Sequence, residues 1–241
     1  MRILVSNDDG ISSAGIRVLT EIAAGFGTVY VAAPSSQCSA MSQRLTIHTP
    51  VDVREQTVPF AEKAWSVGGT PADAVKLGIR HLLGFKPDLV LSGVNNGYNT
   101  GFDIPYSGTV GAAMEALMNG VPAIAVSTDG QYGLGTVRAV VPDILKKLIG
   151  TDPGEGCIYN INVPDLPVSA LRGVLYNVAP APYGLYKEYY LSETLPDGGL
   201  RFTEHGSLLS KEEAYGDNDC ARILDGYVTV GPVRNMALGR N

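Results

Sequence analysis

The stretch ILVSNDDGIS, residues 3–12, ends an apolar run on two adjacent carboxylates, Asp8 and Asp9. Two such charges about 4 Å apart repel by roughly 4 kcal/mol at an effective dielectric of about 20, so something must offset the cost. A cation does. Two other segments carry the neutral oxygens a hard ion accepts: SSQCSAMSQ, with Ser39, and SGVNNGYNTG, with Asn95 and Asn96. An all-oxygen set of Asp8, Asp9, Ser39 and Asn95 suits Mg²⁺ or Mn²⁺ better than zinc. The competing reading of an acidic pair before Gly10 is a turn with a helix N-cap, where Asp is stabilising without any ligand. Asn95, at the matching end of another strand, favours the metal.

The second chemical element is YSGTVGAAMEA, residues 106–116. Small and hydroxyl-bearing residues lead directly into an amphipathic helix, so unpaired backbone N–H groups and the positive end of the dipole face outward. Such a terminus binds phosphate without a lysine. Ser107, Gly108 and Thr109, with Asn96 nearby, are the candidate phosphate contacts. Ordinary capping uses the same residue types. The preceding NNGYNTGFDIP, a Gly- and Asn-rich loop at a strand end, points to a ligand instead.

Other familiar chemistries lack their motifs. G-x-x-x-x-G-K-[ST] is absent, as is a G-x-G-x-x-G fingerprint after the first strand. No G-x-S-x-G elbow supports a Ser hydrolase. His48, His81 and His205 are scattered among unrelated segments and read as structural or solvated. Cys38, Cys157 and Cys220 form neither a C-x-x-C pair nor a disulfide framework.

These residues need a scaffold that brings distant loops together, and the first 130 residues or so supply one. RILVS, TVYVAAP, PDLVLSGV and PAIAVS are short apolar runs rich in Val and Ile, as strands covered on both faces should be. Between them lie helical stripes: Ile16, Leu19, Ala23 and Phe26; Val75, Ile79, Leu82 and Leu83; Val110, Met114 and Leu117. GTPAD gives the second helix a capping box from Thr70 and Asp73, with Pro71 in the first turn. The pattern predicts a doubly wound, mostly parallel, Rossmann-like α/β sheet. In such a sheet ligands bind beyond the carboxyl ends of the strands, where Asp8, Asp9, Ser39 and Asn95 fall. We divide the chain into a catalytic core, residues 1–165, and a C-terminal region, 166–241. The latter holds an aromatic-rich hairpin arm at about 181–210 around Asp-Gly-Gly, and a closing strand at about 225–233. VRAVVPDILKKLIG adds a helix and IYNINVP a strand.

Lys and Arg number 18 against 24 Asp and Glu, a formal net charge of -6, which excludes a footprint for long nucleic acid. A single nucleotide needs only one good pocket. The N-terminus lacks a signal-peptide pattern, no run is long and apolar enough for a membrane span, and the expectation is a reduced, soluble, cytoplasmic protein.

ILVSNDDGI, GTPADAVKLGI, PDLVLSGVNNGYNTGFDIPYSGTVGAAMEA, GVPAIAVS and NINVPDLP together resemble the SurE family, the stationary-phase survival proteins that act as metal-dependent nucleotidases. The likeness runs over residues 1 to about 165, and DGYVTVGPV resembles the family's closing strand. It implies release of phosphate from nucleoside 5′- or 3′-monophosphates, with short polyphosphate as a further substrate. It implies one divalent ion on Asp8, Asp9, Ser39 and Asn95, and phosphate contacts around Asn96, Ser107, Gly108 and Thr109. It also implies an arm that joins subunits into a homodimer or homotetramer. Two departures stand out. Ala40 occupies a position where the family has Gly, and the chain stops at VRNMALGRN where the family commonly adds an amphipathic helix.

The mechanism expected is one-metal phosphomonoester hydrolysis, with Asp8 or Asp9 orienting or deprotonating a water. Two rivals use the same residues. A nucleotide or phosphate sensor would bind at the helix start without turnover, and a sugar-nucleotide transferase would need a donor diphosphate and an acceptor.

Overall fold

The structure is a computed structural model that describes residues 1–235, 237 and 238. In chain order its main elements are β1 (Arg2–Ser6), α1 (Ala14–Ala24), β2 (Thr28–Pro34), β3 (Val53–Gln56), β4 (Lys63–Val67), α2 (Pro71–Leu77) and β5 (Leu89–Asn96). Then come α3 (Gly108–Met118), β6 (Ala123–Thr128), α4 (Gly133–Leu148), β7 (Cys157–Val163), β8 (Gly173–Tyr176), β9 (Tyr186–Thr194), β10 (Leu200–Leu208), α5 (Asp219–Leu224) and β11 (Tyr227–Arg234). Among the described residues the main sheet has nine strands, ordered β3-β4-β2-β1-β5-β6-β7-β11-β8. From β4 through β7 neighbours run parallel, with β1 flanked by β2 on one side and β5 on the other. The order therefore reverses between β1 and β5, where a doubly wound sheet opens its crevice.

β1 shows why its run is apolar throughout. Ile3 and Val5 enter one core layer with Ile16 and Leu19 of α1 and Val141 and Ile144 of α4. Leu4 enters the opposite layer with Val75 of α2 and Val110 and Ala113 of α3. From Ile3 to Ser6 alternate side chains thus face two buried layers, and only Arg2, at the start of the strand, faces water.

The helix starts follow the cap chemistry. Ser13 Oγ accepts from the Ile16 N–H at 3.2 Å to begin α1. Thr70 Oγ1 accepts from Asp73 N–H at 3.1 Å and Asp73 Oδ2 accepts from Thr70 N–H at 2.9 Å, the reciprocal pair expected for α2. The apolar stripe through Ile79 and Leu82 does not continue that helix, however. α2 gives way to a π-turn over Gly78–Leu82. β3 and β8 are short edge strands and β4 lies beside β3. The closing strand β11 pairs antiparallel with β7 and parallel with β8.

β9 and β10 form the expected hairpin, closed by a bond from Leu195 N–H to the Gly199 carbonyl at 2.7 Å. Apart from Tyr186, every residue of the two strands is exposed, including Tyr190 at 60% and Phe202 at 59%. The ribbon therefore stands away from its own core as an arm, not as a flap packed over it.

Candidate metal and phosphate site

At the end of β1 the turn is shaped by Asn7, whose Nδ2 donates to the Gly10 carbonyl at 3.0 Å and to Ser13 Oγ at 2.8 Å. Since Ser13 caps α1, neither Asp8 nor Asp9 serves as that cap. The helix-cap explanation for the acidic pair is thereby removed.

Asp8 is 3% exposed. Its Oδ1 accepts from Thr109 Oγ1 at 2.5 Å, and its carbonyl accepts from Cys38 N–H at 2.7 Å. Burial pushes the carboxyl up to about 6, against the Thr109 hydrogen bond and with help from the neighbouring Asp9 charge. Asp9 is half-buried, and its Oδ2 accepts from Asn96 N–H at 3.1 Å. Burial raises this carboxyl as well, opposed by the Asn96 N–H and the Gln37 amide.

The other candidates arrive on separate connections. Ser39, in the exposed loop after β2, accepts from Gln37 Nε2 at 3.1 Å. Asn95, near the end of β5, donates from Nδ2 to the Gly97 carbonyl at 2.8 Å. At the start of α3, Ser107 Oγ accepts from Val110 N–H at 3.1 Å, which leaves its own proton available. Thr109 commits its hydroxyl to Asp8. Gly108 presses against the same carboxylate: a Cβ there would lie 2.8 Å from Asp8 Cβ and 2.9 Å from Asp8 Oδ2. Only a residue without a side chain fits, so carboxylate and helix terminus are packed as one unit.

A cleft of about 310 Å³ opens beside Asp9, lined by Ser13, Gln37, Asn95, Asn96 and Thr128 among others; Asp8, Ser39 and the start of α3 do not line it, and no Lys, Arg or His is among its described lining residues. A larger hollow, about 620 Å³, lies at the opposite end of the sheet near Leu89, Ala123 and Cys157, remote from the chemistry. Among the described residues no group of three or more His, Cys, Asp and Glu is placed to hold a metal ion. That disfavours a nitrogen- or thiolate-rich centre. Two carboxylates, one of them buried and without a cationic partner among the described residues, with hydroxyl and amide oxygens nearby, are what a hard divalent cation fits.

The family model described as "Survival protein SurE" matches residues 3–180. The chain belongs to the SurE family. It is 46% identical over 176 residues to the 5′-nucleotidase SurE of Geotalea uraniireducens, covering 71% of this chain and 69% of that one. With the 5′/3′-nucleotidase SurE of Erwinia tasmaniensis the identity is 40% over 230 residues, 95% of this chain and 88% of the relative. The crystal structure of the SurE protein from Aquifex aeolicus superposes with a TM-score of 0.83 at 35% identity, covering 97% of this chain and 93% of that one.

Two features of this SurE-family site were not singled out from sequence. Gln37 joins Asp9 to Ser39. Asn99, buried, anchors the long loop after β5: its N–H donates to Asn162 Oδ1 at 2.9 Å and its Nδ2 to Ser127 Oγ at 2.8 Å. Its carbonyl accepts from Asn160 Nδ2 at 2.8 Å and Asn162 Nδ2 at 3.0 Å. The visible signal was two asparagines at alternate positions within the apolar run IYNINVP.

Proposed function

We propose that this SurE-family chain is a metal-dependent phosphatase that converts nucleoside 5′- or 3′-monophosphates to nucleoside and phosphate. The names of the relatives support the substrate class. The observation that carries the reading is the buried Asp8, beside Asp9 and packed on the start of α3, with no cationic partner among the described residues.

Asp8, Asp9, Ser39 and Asn95 would hold one Mg²⁺ or Mn²⁺. Such an ion, when bound, neutralises charge on the phosphoryl oxygens and makes a water more acidic. The protein does the rest by placement. Thr109 and Gly108 fix Asp8 against α3, so that one face of the site is rigid. Asp9 reaches the cleft, and its raised carboxyl is suited to orient a water and take its proton as the new P–O bond forms. Asn96, Ser107 and the backbone of Gly108 and Thr109 hold the non-bridging oxygens, where charge spreads as the ester P–O bond breaks. The departing ester oxygen is protonated by solvent as the nucleoside leaves. In the same reading the arm joins chains into a dimer or tetramer, which light scattering on the purified protein would report.

The test is release of inorganic phosphate from a panel of 5′- and 3′-monophosphates and short-chain polyphosphate, with Mn²⁺ or Mg²⁺ and after exhaustive chelation. Release that needs the ion supports the reading. Turnover that survives chelation overturns the metal scheme, and nucleotide binding without turnover would identify a sensor.

A further inference from the structure

The arm and the candidate site meet in one peptide group. β9 begins at Tyr186, the residue of the arm's two strands that is not exposed. The Tyr186 hydroxyl accepts from the Tyr98 N–H at 3.1 Å. That N–H belongs to the same planar unit as the Gly97 carbonyl, which takes the Asn95 side-chain amide at 2.8 Å. One rigid plate is therefore gripped from two sides, by the arm's root and by a metal-ligand candidate.

The plate has little else to hold it. Gly97 stands at φ 134, where no side chain opposes rotation. Its own N–H is tied to the Thr128 carbonyl at 2.7 Å, which fixes the preceding peptide but not this one. On the far side Tyr98 is buried and its hydroxyl accepts from Asp165 N–H at 2.8 Å, so the ring is anchored while the Gly97–Tyr98 peptide depends on Tyr186. The Tyr186 oxygen accepts here, so the contact does not depend on the phenol's own proton.

We propose that Tyr186 is a positioning residue: its hydroxyl fixes the Gly97–Tyr98 peptide and, through the Gly97 carbonyl, the direction in which Asn95 presents its side-chain oxygen. This rests on Asn95 being a metal ligand, as in the function proposed above. The root of the arm is thus built into the site, even though the rest of the ribbon lies outside it.

The test is Tyr186→Phe in the full chain, with Tyr190→Phe, an exposed arm tyrosine, as the control. In titration calorimetry with Mn²⁺ alone, Tyr186→Phe should bind about three- to tenfold more weakly, since a buried donor loses its partner. Phosphate release should fall by a similar factor at limiting Mn²⁺ and recover at saturating Mn²⁺, with kcat little changed. In chelator, hydrogen exchange at the Tyr98 amide should accelerate while exchange within α3 does not. Tyr190→Phe should match the unmodified protein in each measurement. Wild-type Mn²⁺ affinity together with wild-type Tyr98 exchange in Tyr186→Phe would overturn the proposal, as would a lowered melting temperature with both unchanged. If the unmodified protein binds no Mn²⁺ and releases no phosphate, the metal reading fails by itself. The Tyr98 exchange rate then decides whether Tyr186 holds this peptide.

Discussion

Replacing Asp8 by Asn in cation-free protein should stabilise the fold. The carboxyl stands at about 6 in the folded chain against 3.8 when free, chiefly because it is buried. The folded state thus holds the proton more tightly than the unfolded chain. This contribution to stability is fully present below 3.8 and is lost as pH rises through about 6. Above that the deficit is complete, roughly two pH units at about 1.4 kcal/mol each, or about 3 kcal/mol. Asn removes the charge and keeps an oxygen for the Thr109 hydroxyl. Its new amide group lacks an evident acceptor, at a cost of about 1 kcal/mol or somewhat more. The net gain near neutral pH is then about 1–2 kcal/mol, which for a chain of this size raises the melting temperature by about 2–8 °C. At about pH 4 the wild-type carboxyl is protonated and the advantage should vanish. Urea and thermal melts of Asp8→Asn and wild type, in chelator at both pH values, measure this directly. Adding Mn²⁺ at about a hundred times its Kd should reverse the order, since wild type gains about 2.7 kcal/mol by mass action and the variant far less. A variant that melts at or below wild type in chelator at neutral pH refutes the reasoning, and so does an advantage independent of pH.

Asp9→Asn should abolish most metal-dependent phosphate release and leave the far-UV spectrum unchanged; a loss of less than about tenfold would count against Asp9 as ligand or base. Gly108→Ala must displace Asp8, because the added carbon would sit 2.8 Å from its Cβ. It should lower kcat/KM by about a hundredfold, and wild-type kinetics would show that the packing is looser than drawn. Asp73→Ala removes acceptors for Thr46 N–H, Thr46 Oγ1 and Thr70 N–H and should cost about 1–3 kcal/mol in a urea melt. Burial pushes that carboxyl up, but the hydrogen bonds from Thr46 and Thr70 outweigh it and leave it below 3.8. Its stabilisation is therefore present above 3.8 and lost as pH falls below that, so the gap between variant and wild type should narrow in acid.

The parts of this molecule that were legible in the sequence are those governed by short-range rules. Ile3 to Val5 could be placed as a strand because each must be apolar when both faces are covered, and the helix at Thr70 because its cap and acidic partner are three residues apart. Asp8, Asp9 and Asn95 could be grouped because strands of a parallel sheet all end on the same side. The misses have equally physical causes. Val53–Gln56 lies at an edge with three exposed residues, so no apolar alternation marks it. The stripe through Ile79 persists across a change of helix type because packing against the sheet, not hydrogen-bond spacing, sets where apolar residues fall. Nothing in the letters YNT announces that Asn99 satisfies partners on two other strands. Nor could spacing show that the Thr109 hydroxyl turns to a carboxylate contributed by the first strand.

Residues 95–109 run from the last turn of one strand to the first turn of a helix with only a short 3-10 segment, Gly101–Tyr106, between them. This single span carries candidates for both halves of the chemistry. Its ties to the rest of the protein are many and go to different elements: Asn96 to Asp9, Gly97 to Thr128, Tyr98 to Asp165 and the arm, Asn99 to β6 and β7, Gly101 to Asp219, Thr109 to Asp8. A span held in this way opens only by breaking contacts to several layers at once. In gentle denaturant, turnover and the spectroscopic signature of the sheet should therefore be lost together.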